Sequence, residues 1–268
     1  MRARHLLPGL LVVAAAGGLW VLTGGGVGAS AAGGVPRAPA ASAEEQRGHE
    51  LFLTGCSSCH GVAGQGLRVQ GEVRGPSLQD SGAAAAYYQL TTGRMPLAAS
   101  DDLPKRKPPA YGPADIRALV AYVASLGHGP AVPDVQTAQG DLAVGGELFR
   151  PNCQACHSAT GAGGALSYGR AAPSLGRATP TQVGSAMRSG PGQMPVFSPK
   201  TLSAHDVDSI ARYVRYLEHP DDRGGLALGR LGPIPEGLLI WVLGIGSLLI
   251  ACVWIGGRNP DRNEVPEP

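Results

Sequence analysis

Apolar side chains recur at helical spacing in two stretches of the chain, Ala114–Leu126 and Ser203–Leu217. Within each stretch they are three or four residues apart, which places them on one face of a helix. They are Ile116, Leu119, Val120 and Val123 in the first stretch and Val207, Ile210, Val214 and Leu217 in the second. No segment alternates convincingly between apolar and polar residues, as a half-buried strand does. The pattern predicts a mostly α protein.

Local signals predict where further helices begin. Ser81 is placed to cap a helix over Gly82–Thr92, and Thr179, which is followed by proline, is placed to begin a second helix of this kind. Ser203, with an acidic residue three positions later, predicts a capping box at the start of the last amphipathic helix.

An apolar segment near the start of the chain, Leu6–Leu22, follows a basic beginning and leads into Gly, Ala and Ser. Two interpretations stay open for residues 1–43: a secretory signal peptide with a small-residue cleavage site at Ala29–Ala31, or a retained membrane anchor and linker. Both interpretations predict that the domains which follow are exported.

A second apolar segment, Leu238–Ile255, carries no charged residue and has Trp241 and Trp254 near its ends. Its length and its aromatic residues predict a transmembrane helix over residues 238–257. Arginines at positions 258 and 262 place the tail, 258–268, in the cytoplasm by the positive-inside rule. A buried core helix is the alternative, but no sequence downstream is long enough to cover it.

Between these segments the chain contains an internal repeat, because the same short motifs occur twice in the same order. The first domain is predicted at 44–128 and the second at 129–220, and a Gly-rich linker at 221–237 leads to the membrane helix. The matching motifs are Glu50-Leu51-Phe52 with Glu147-Leu148-Phe149, Gly75-Pro76-Ser77-Leu78 with Ala172-Pro173-Ser174-Leu175, and Gly93-Arg94-Met95-Pro96 with Gly192-Gln193-Met194-Pro195.

Each repeat contains one Cys-x-x-Cys-His motif, the attachment signature of c-type haem. Two thiols at this spacing can each form a thioether to one porphyrin, and the adjacent imidazole then meets the iron. The motif residues are Cys56, Cys59 and His60 in the first repeat and Cys153, Cys156 and His157 in the second. The sequence therefore predicts two covalently bound haem c groups.

The histidines of these motifs are the predicted proximal ligands of the two irons. Met95 and Met194 each precede a proline at nearly the same distance after their motif, so they are the predicted axial ligands on the opposite faces. The alternative for both is ordinary core packing. Met187 lies in the middle-helix pattern and is predicted to pack in the core.

Two further contacts are expected around these sites. The carbonyl groups of Pro76 and Pro173 are placed to accept a hydrogen bond from the proximal imidazole. Gly48 and Phe52 share one helix face, which is placed to pack on Tyr122; a generic core contact is the alternative. Gly145 and Phe149 repeat the pattern against Tyr213.

Composition agrees with a haem protein. Aromatic residues make up only 5% of the chain, and a domain of roughly 80 residues with so few large side chains lacks apolar bulk that a haem supplies. The net charge of +2 decides nothing about partners, but the absence of a basic stripe argues against nucleic acid as a partner. The first repeat alone carries a charged insertion, Ala98–Ala110, with Lys105-Arg106-Lys107; it is either a solvated loop or an element that docks a partner.

Each half resembles a class I cytochrome c domain. The whole order, with Leu231–Gly237, one membrane helix and Trp254–Arg258, resembles the di-haem cytochrome c subunit of the actinobacterial cytochrome bc complex. The resemblance covers the chain from about residue 44 onwards and implies two tandem class I cytochrome c domains followed by one C-terminal transmembrane helix.

The resemblance also implies a respiratory role at the outer side of the cell membrane. In that family the complex is a menaquinol–cytochrome c reductase, which couples quinol oxidation to proton translocation, and this subunit contributes electron transfer alone. Its implied partners are a cytochrome b subunit, a Rieske iron–sulfur subunit and an aa-type cytochrome c oxidase. The haem at His60 would receive electrons and the haem at His157 would deliver them.

Three alternatives remain open on the sequence. The chain is also compatible with a di-haem electron-transfer subunit of a membrane dehydrogenase or another oxidase. A protein without haem would use its Cys-x-x-Cys pairs for disulfide exchange or zinc. A di-haem peroxidase would need an open iron face, whereas the methionine assignment predicts six-coordinate, low-spin haems.

Overall fold

The computed structural model of the chain describes residues 41–99, 103–221 and 233–258. The expectations for the N-terminal apolar segment, for most of the linker before the membrane helix and for nearly all of the tail lie outside these residues. Within them the protein is mostly helical, as predicted.

The first domain is a set of helices with one small hairpin. Its elements are α1 (Ala43–Gly55), α2 (Ser57–His60), β1 (Leu67–Val69), β2 (Glu72–Gly75), α3 (Gly82–Thr91) and α4 (Pro113–Ser125). Helix α4 packs on both α1 and α3. Its apolar face, predicted from spacing, contributes Ile116 and Leu119 to the core.

The crossing of α1 and α4 is close because α1 has a glycine at the contact. A Cβ atom at Gly48 would lie 1.9 Å from the carbonyl oxygen of Ala118, so no other residue fits without moving a helix. One turn later, the Phe52 ring lies 5.0 Å from the ring of Tyr122, measured between centroids. This contact confirms the predicted packing and builds the core of the domain.

The second domain repeats this arrangement. Its elements are α5 (Leu142–Asn152), α6 (Gln154–His157), β3 (Gly164–Ala165), a 3-10 turn (Ser167–Gly169), β4 (Ala171–Ala172), α7 (Pro180–Ser189) and α8 (Ala204–Glu218). A Cβ atom at Gly145 would lie 2.1 Å from the Ser209 carbonyl oxygen. The rings of Phe149 and Tyr213 are 5.3 Å apart. The internal repeat therefore extends from the motifs to the packing.

All three predicted helix starts are confirmed, because α3 begins at Gly82 as expected. Thr179 and Ser203 each form a capping box with the residue three positions later. The side-chain cap predicted for Ser81 is wrong. Its backbone is already helical at φ −67° and ψ −35°, and its side chain makes no cap hydrogen bond. The Ser81 hydroxyl donates instead to the Ser77 carbonyl, 3.4 Å away.

The structure also contains short strands that the sequence pattern does not predict. β1 pairs with β2, and β3 pairs with β4, both antiparallel, and each hairpin follows a Cys-x-x-Cys-His helix. The strands have two to four residues each. Such a length is too short to show an alternating pattern, so periodicity gives no signal for them.

The two domains contact each other through α3 and α7. The segment that joins them is held at both ends by hydrogen bonds. The Ala84 N–H donates to the Pro130 carbonyl at 2.9 Å, and the Gln136 N–H donates to Asp208 Oδ1 at 2.8 Å. The connection therefore binds both the middle helix of the first domain and the last helix of the second.

The C-terminal helix consists of α9 (Pro233–Ile240), a π-helical turn (Trp241–Ile245) and α10 (Gly246–Gly257). The helical segment Gly237–Gly257 has 21 residues; an 18-residue window within it has a mean hydropathy of 2.6, and none of that window is buried against the rest of the protein. A core helix would be covered, so the alternative of a buried helix loses its support. The segment is a candidate membrane span that includes the predicted Leu238–Ile255.

Candidate haem-binding sites

The first Cys-x-x-Cys-His motif lies at the junction of α1 and α2. Cys56 ends α1 and also begins α2, with its backbone at φ −128° and ψ −31°. The N–H groups of Cys59 and His60 both donate to the Cys56 carbonyl, at 3.1 and 2.9 Å. One helical turn therefore holds both thiols and the imidazole together.

The second motif has the same local geometry. Cys153 stands between α5 and α6 at φ −124° and ψ −37°, and its carbonyl accepts from the N–H groups of Cys156 and His157 at 3.2 and 2.9 Å. Its backbone angles match those of Cys56 within a few degrees. The two sites are copies of one structure.

Each motif histidine is oriented by a main-chain carbonyl, as predicted. The Nδ1 atom of His60 lies 2.8 Å from the Pro76 carbonyl oxygen, and that of His157 lies 3.0 Å from the Pro173 carbonyl oxygen. A carbonyl only accepts, so Nδ1 carries the proton in both rings. The lone pair of each imidazole is then on Nε2, where it is available to a metal.

The first thiol of each motif is kept neutral. Burial, together with the neighbouring Cys59, raises the pKa of Cys56 to about 11. Burial and the neighbouring Cys156 raise the pKa of Cys153 to about 11 as well. The thiolate is the reactive species in disulfide exchange, so the raised pKa does not favour that alternative.

His157 is also held in the form that binds metal. Burial lowers the pKa of its imidazole, and the hydrogen bond to the Pro173 carbonyl opposes this shift only in part. A neutral imidazole is the form that coordinates iron.

The two predicted methionines lie on loops after the middle helices. Met95 packs against the same apolar cluster as Cys56, and Met194 packs against the same cluster as Cys153. Both side chains are partly buried. Met187 is only 2% exposed and belongs to the core of the second domain, which confirms its predicted packing role.

The donor set at each site fits a haem c. It comprises two thiols for attachment, one neutral imidazole with a free Nε2 and one thioether, which favours the ferrous iron. Groups of three or more His, Cys, Asp or Glu side chains in a metal-binding arrangement do not occur in the described ranges.

One residue beside the first site was not singled out from the sequence. Arg94, directly before Met95, is only 8% exposed, and its Nη1 atom has no hydrogen-bond partner among the described residues. Its guanidinium carbon lies 4.9 Å from the centre of the Tyr88 ring. The signal that marks this position is the difference between the repeats, because the matching residue, Gln193, is neutral and exposed.

The charged insertion of the first repeat folds back against the protein. Arg106 donates hydrogen bonds to the Arg177 carbonyl at 2.8 Å and to Gln182 Oε1 at 3.1 Å, both in the second domain. Lys107 donates to the Pro96 carbonyl at 2.7 Å. The described part of this insertion therefore joins the methionine loop to the second domain and is more than a solvated loop.

Comparison with known proteins agrees with the two-domain arrangement. The cytochrome c family matches residues 45–127, and the family described as cytochrome C oxidase, cbb3-type, subunit III matches residues 140–214. The chain is 38% identical over 261 residues to the cytochrome bc1 complex cytochrome c subunit of Corynebacterium diphtheriae, covering 89% of this chain and 91% of the relative.

Further relatives carry the same name. The cytochrome bc1 complex cytochrome c subunit of Mycobacterium leprae is 43% identical over 225 residues, which cover 81% of this chain and 76% of that protein. A crystal structure of reduced recombinant cytochrome c4 from Pseudomonas stutzeri aligns with 63% of this chain and 96% of its own, at 21% identity and a TM-score of 0.23, too low to support any argument.

Proposed function

The chain belongs to the family of cytochrome bc1 complex cytochrome c subunits, and from this membership we propose that it is a membrane-anchored di-haem relay between an iron–sulfur protein and an aa-type oxidase. The family makes it an electron-transport protein that works with other subunits of its complex. The observation that carries the proposal is the duplication of one complete site, from the thiols to the carbonyl that orients the imidazole.

In this proposal the thiols attach two haems and the chain supplies both axial ligands of each iron. Cys56 and Cys59 hold the first haem, between His60 and Met95. Cys153 and Cys156 hold the second haem, between His157 and Met194. The bound iron supplies one-electron redox chemistry; the protein supplies attachment, orientation and exclusion of water. A neutral thioether on one face favours the ferrous iron and raises the midpoint potential.

The proposed path begins at a Rieske iron–sulfur subunit, which works with a cytochrome b subunit that oxidises menaquinol with proton translocation. A haem held by His60 and Met95 would accept single electrons, and one held by His157 and Met194 would pass them to the oxidase. Two haems on one chain replace a diffusional encounter with transfer at high effective concentration. The direct contact between α3 and α7 supports this idea because it keeps the two haem domains together.

The proposed topology follows from the C-terminal helix. The segment Gly237–Gly257 crosses the cell membrane, the haem domains lie on the outer side and the tail lies in the cytoplasm. Arg258, at the end of the helix, supports this orientation by the positive-inside rule. Its guanidinium carbon lies 3.8 Å from the centre of the Trp254 ring, where aromatic residues meet the lipid headgroups.

The proposal is tested by purifying the native complex from membranes. We expect a pyridine haemochrome assay to give two covalent haems per chain, and mass spectrometry of co-purified subunits to identify a cytochrome b and a Rieske protein. Co-purification of a dehydrogenase in place of these subunits would contradict the relay. Rapid peroxide turnover by the purified chain would contradict the methionine ligands, because it needs an open iron face.

A further inference from the structure

The buried guanidinium of Arg94 has no anionic partner among the described residues. Burying a charge without a partner costs several kcal/mol or more, so proteins pair such groups. The ion pairs of the described residues are made by other arginines: Arg47, Arg117 and Arg215 with Asp115, Glu44 and Glu218. The Tyr88 ring lies beside Arg94, with 4.9 Å between the ring centre and the guanidinium carbon. The described residues therefore supply no anion for this guanidinium.

A second guanidinium lies close to the first. Gly93 allows the insertion to approach the methionine loop, since a Cβ atom there would lie 2.0 Å from the Lys107 carbonyl oxygen. This approach brings Arg106 near Arg94, and the positive charges of Arg94 and Arg177, together with burial, lower the pKa of Arg106. Three arginines thus converge where the two domains meet, although like charges repel.

The arginine site lies next to the proposed binding site of the first haem. Arg94 immediately precedes the proposed ligand Met95, whose side chain packs in the same cluster as the attachment residue Cys56. A haem carries two propionate carboxylates on one edge. A guanidinium binds a carboxylate through two parallel hydrogen bonds, which are among the stronger hydrogen bonds in proteins.

We propose that Arg94 and Arg106 bind a propionate of the first haem at the boundary between the two domains. The inference rests on the proposed haem attachment at Cys56 and Cys59. It makes the two haems unequal, because the second repeat has the exposed, neutral Gln193 at the place of Arg94. The same contact ties the haem to the second domain through the hydrogen bonds of Arg106.

The pairing has a measurable redox consequence. A buried positive charge beside the haem disfavours the more positive ferric state, and loss of that charge leaves the propionate unpaired. Removing the charge therefore stabilises the ferric haem. One charge-assisted hydrogen bond corresponds to roughly a tenfold change in the ferrous-to-ferric ratio, which for one electron is about 59 mV.

The experiment is a spectroelectrochemical titration of the full-length holoprotein in detergent, fitted with two one-electron components. In Arg94→Gln we expect the ferrous-to-ferric ratio of the first haem, at a given applied potential, to fall by about tenfold. The ratio of the second haem should stay unchanged. Arg94→Lys keeps the charge but loses the planar guanidinium, so a smaller shift is expected. The first haem's component is identified by its loss in Met95→Ala.

A matched control removes the same charge from the surface of the same domain. Arg117 lies on α4 with 67% of its side chain exposed, so Arg117→Gln should leave both components unchanged. An acidic partner within 100–102 is the competing explanation; Asp101→Asn with Asp102→Asn would then shift the first component, which our proposal does not expect.

Arg106→Gln provides an independent variant if Arg94→Gln does not accumulate. It should lower the ferrous-to-ferric ratio of the first haem by about threefold at a given applied potential. If the variants keep two low-spin haems and both components remain at the wild-type values, the propionate assignment is overturned. A wild-type protein without covalent haem would instead overturn the proposed function, so the two failures are distinguishable.

Discussion

Replacement of Gly48 by alanine tests whether the helix crossing sets the stability of the first domain. The added Cβ atom would lie 1.9 Å from the Ala118 carbonyl oxygen and 2.8 Å from Tyr122 Cβ. Real Cβ contacts of this kind begin at roughly 3 Å, so α1 and α4 must separate by about 1 Å. That movement also loosens the Phe52 contact with Tyr122.

The magnitude follows from this geometry. Overpacking a core costs roughly 1–3 kcal/mol, and we expect the upper end because the obstacle is backbone. In a domain of this size each kcal/mol lowers the melting temperature by about 4–8 °C, so a loss of about 3 kcal/mol lowers it by at least about 12 °C. The assay is thermal unfolding of the holoprotein, followed through the visible absorbance of the haems.

A matched glycine in the same domain provides the control. A Cβ atom at Gly112 meets nothing within 4 Å, so Gly112→Ala should change the free energy of unfolding by less than about 0.5 kcal/mol. Gly145→Ala should reproduce the large loss in the second domain. If Gly48→Ala has the same melting temperature as Gly112→Ala, the close helix crossing and the packing argument built on it are refuted.

Three further predictions concern helix ends, pH and ligation. Ser203→Ala should lower the free energy of unfolding by about 1 kcal/mol, since it removes a capping box, whereas Ser81→Ala should be nearly neutral in the same urea titration. The Val144 N–H holds the pKa of the Asp141 carboxyl below its usual range, so this carboxylate stabilises the fold at neutral pH and the gain is lost as the pH falls through the lowered pKa. Asp141→Ala should therefore lower the melting temperature at pH 7 and leave it nearly unchanged at about pH 2; a loss of equal size at both values would contradict the assignment. Met95→Ala should convert one of two haems from low to high spin, measured by electron paramagnetic resonance, and an unchanged low-spin count would show that another group binds the iron.

The sequence predicted the local parts of each site well, because the chemistry restricts them strongly. An imidazole that binds iron needs a partner for its other nitrogen, and the carbonyl that follows the haem loop was correctly expected at Pro76 and Pro173. Packing of Phe52 and Phe149 was also predicted, since glycine and an aromatic residue one turn apart mark a close helix contact.

The parts that depend on distant contacts were not predictable. Arginine is ordinarily exposed, and Arg94 is buried where the insertion of the first repeat approaches the methionine loop. The bridge from Arg106 to the second domain depends on the contact between α3 and α7, which no local pattern encodes. Ser81 failed as a cap because its backbone is already helical, whereas a capping residue needs an extended backbone to present its oxygen to the first N–H groups.

The segment that joins the two domains has a kinetic consequence. Its hydrogen bonds from Ala84 to Pro130 and from Gln136 to Asp208 restrict relative motion of the two domains that it connects. Electron transfer between the two proposed haems should then need no rotation of one domain relative to the other. Its rate should be insensitive to solvent viscosity, so that added glycerol slows the arrival of electrons from outside but leaves the internal step unchanged.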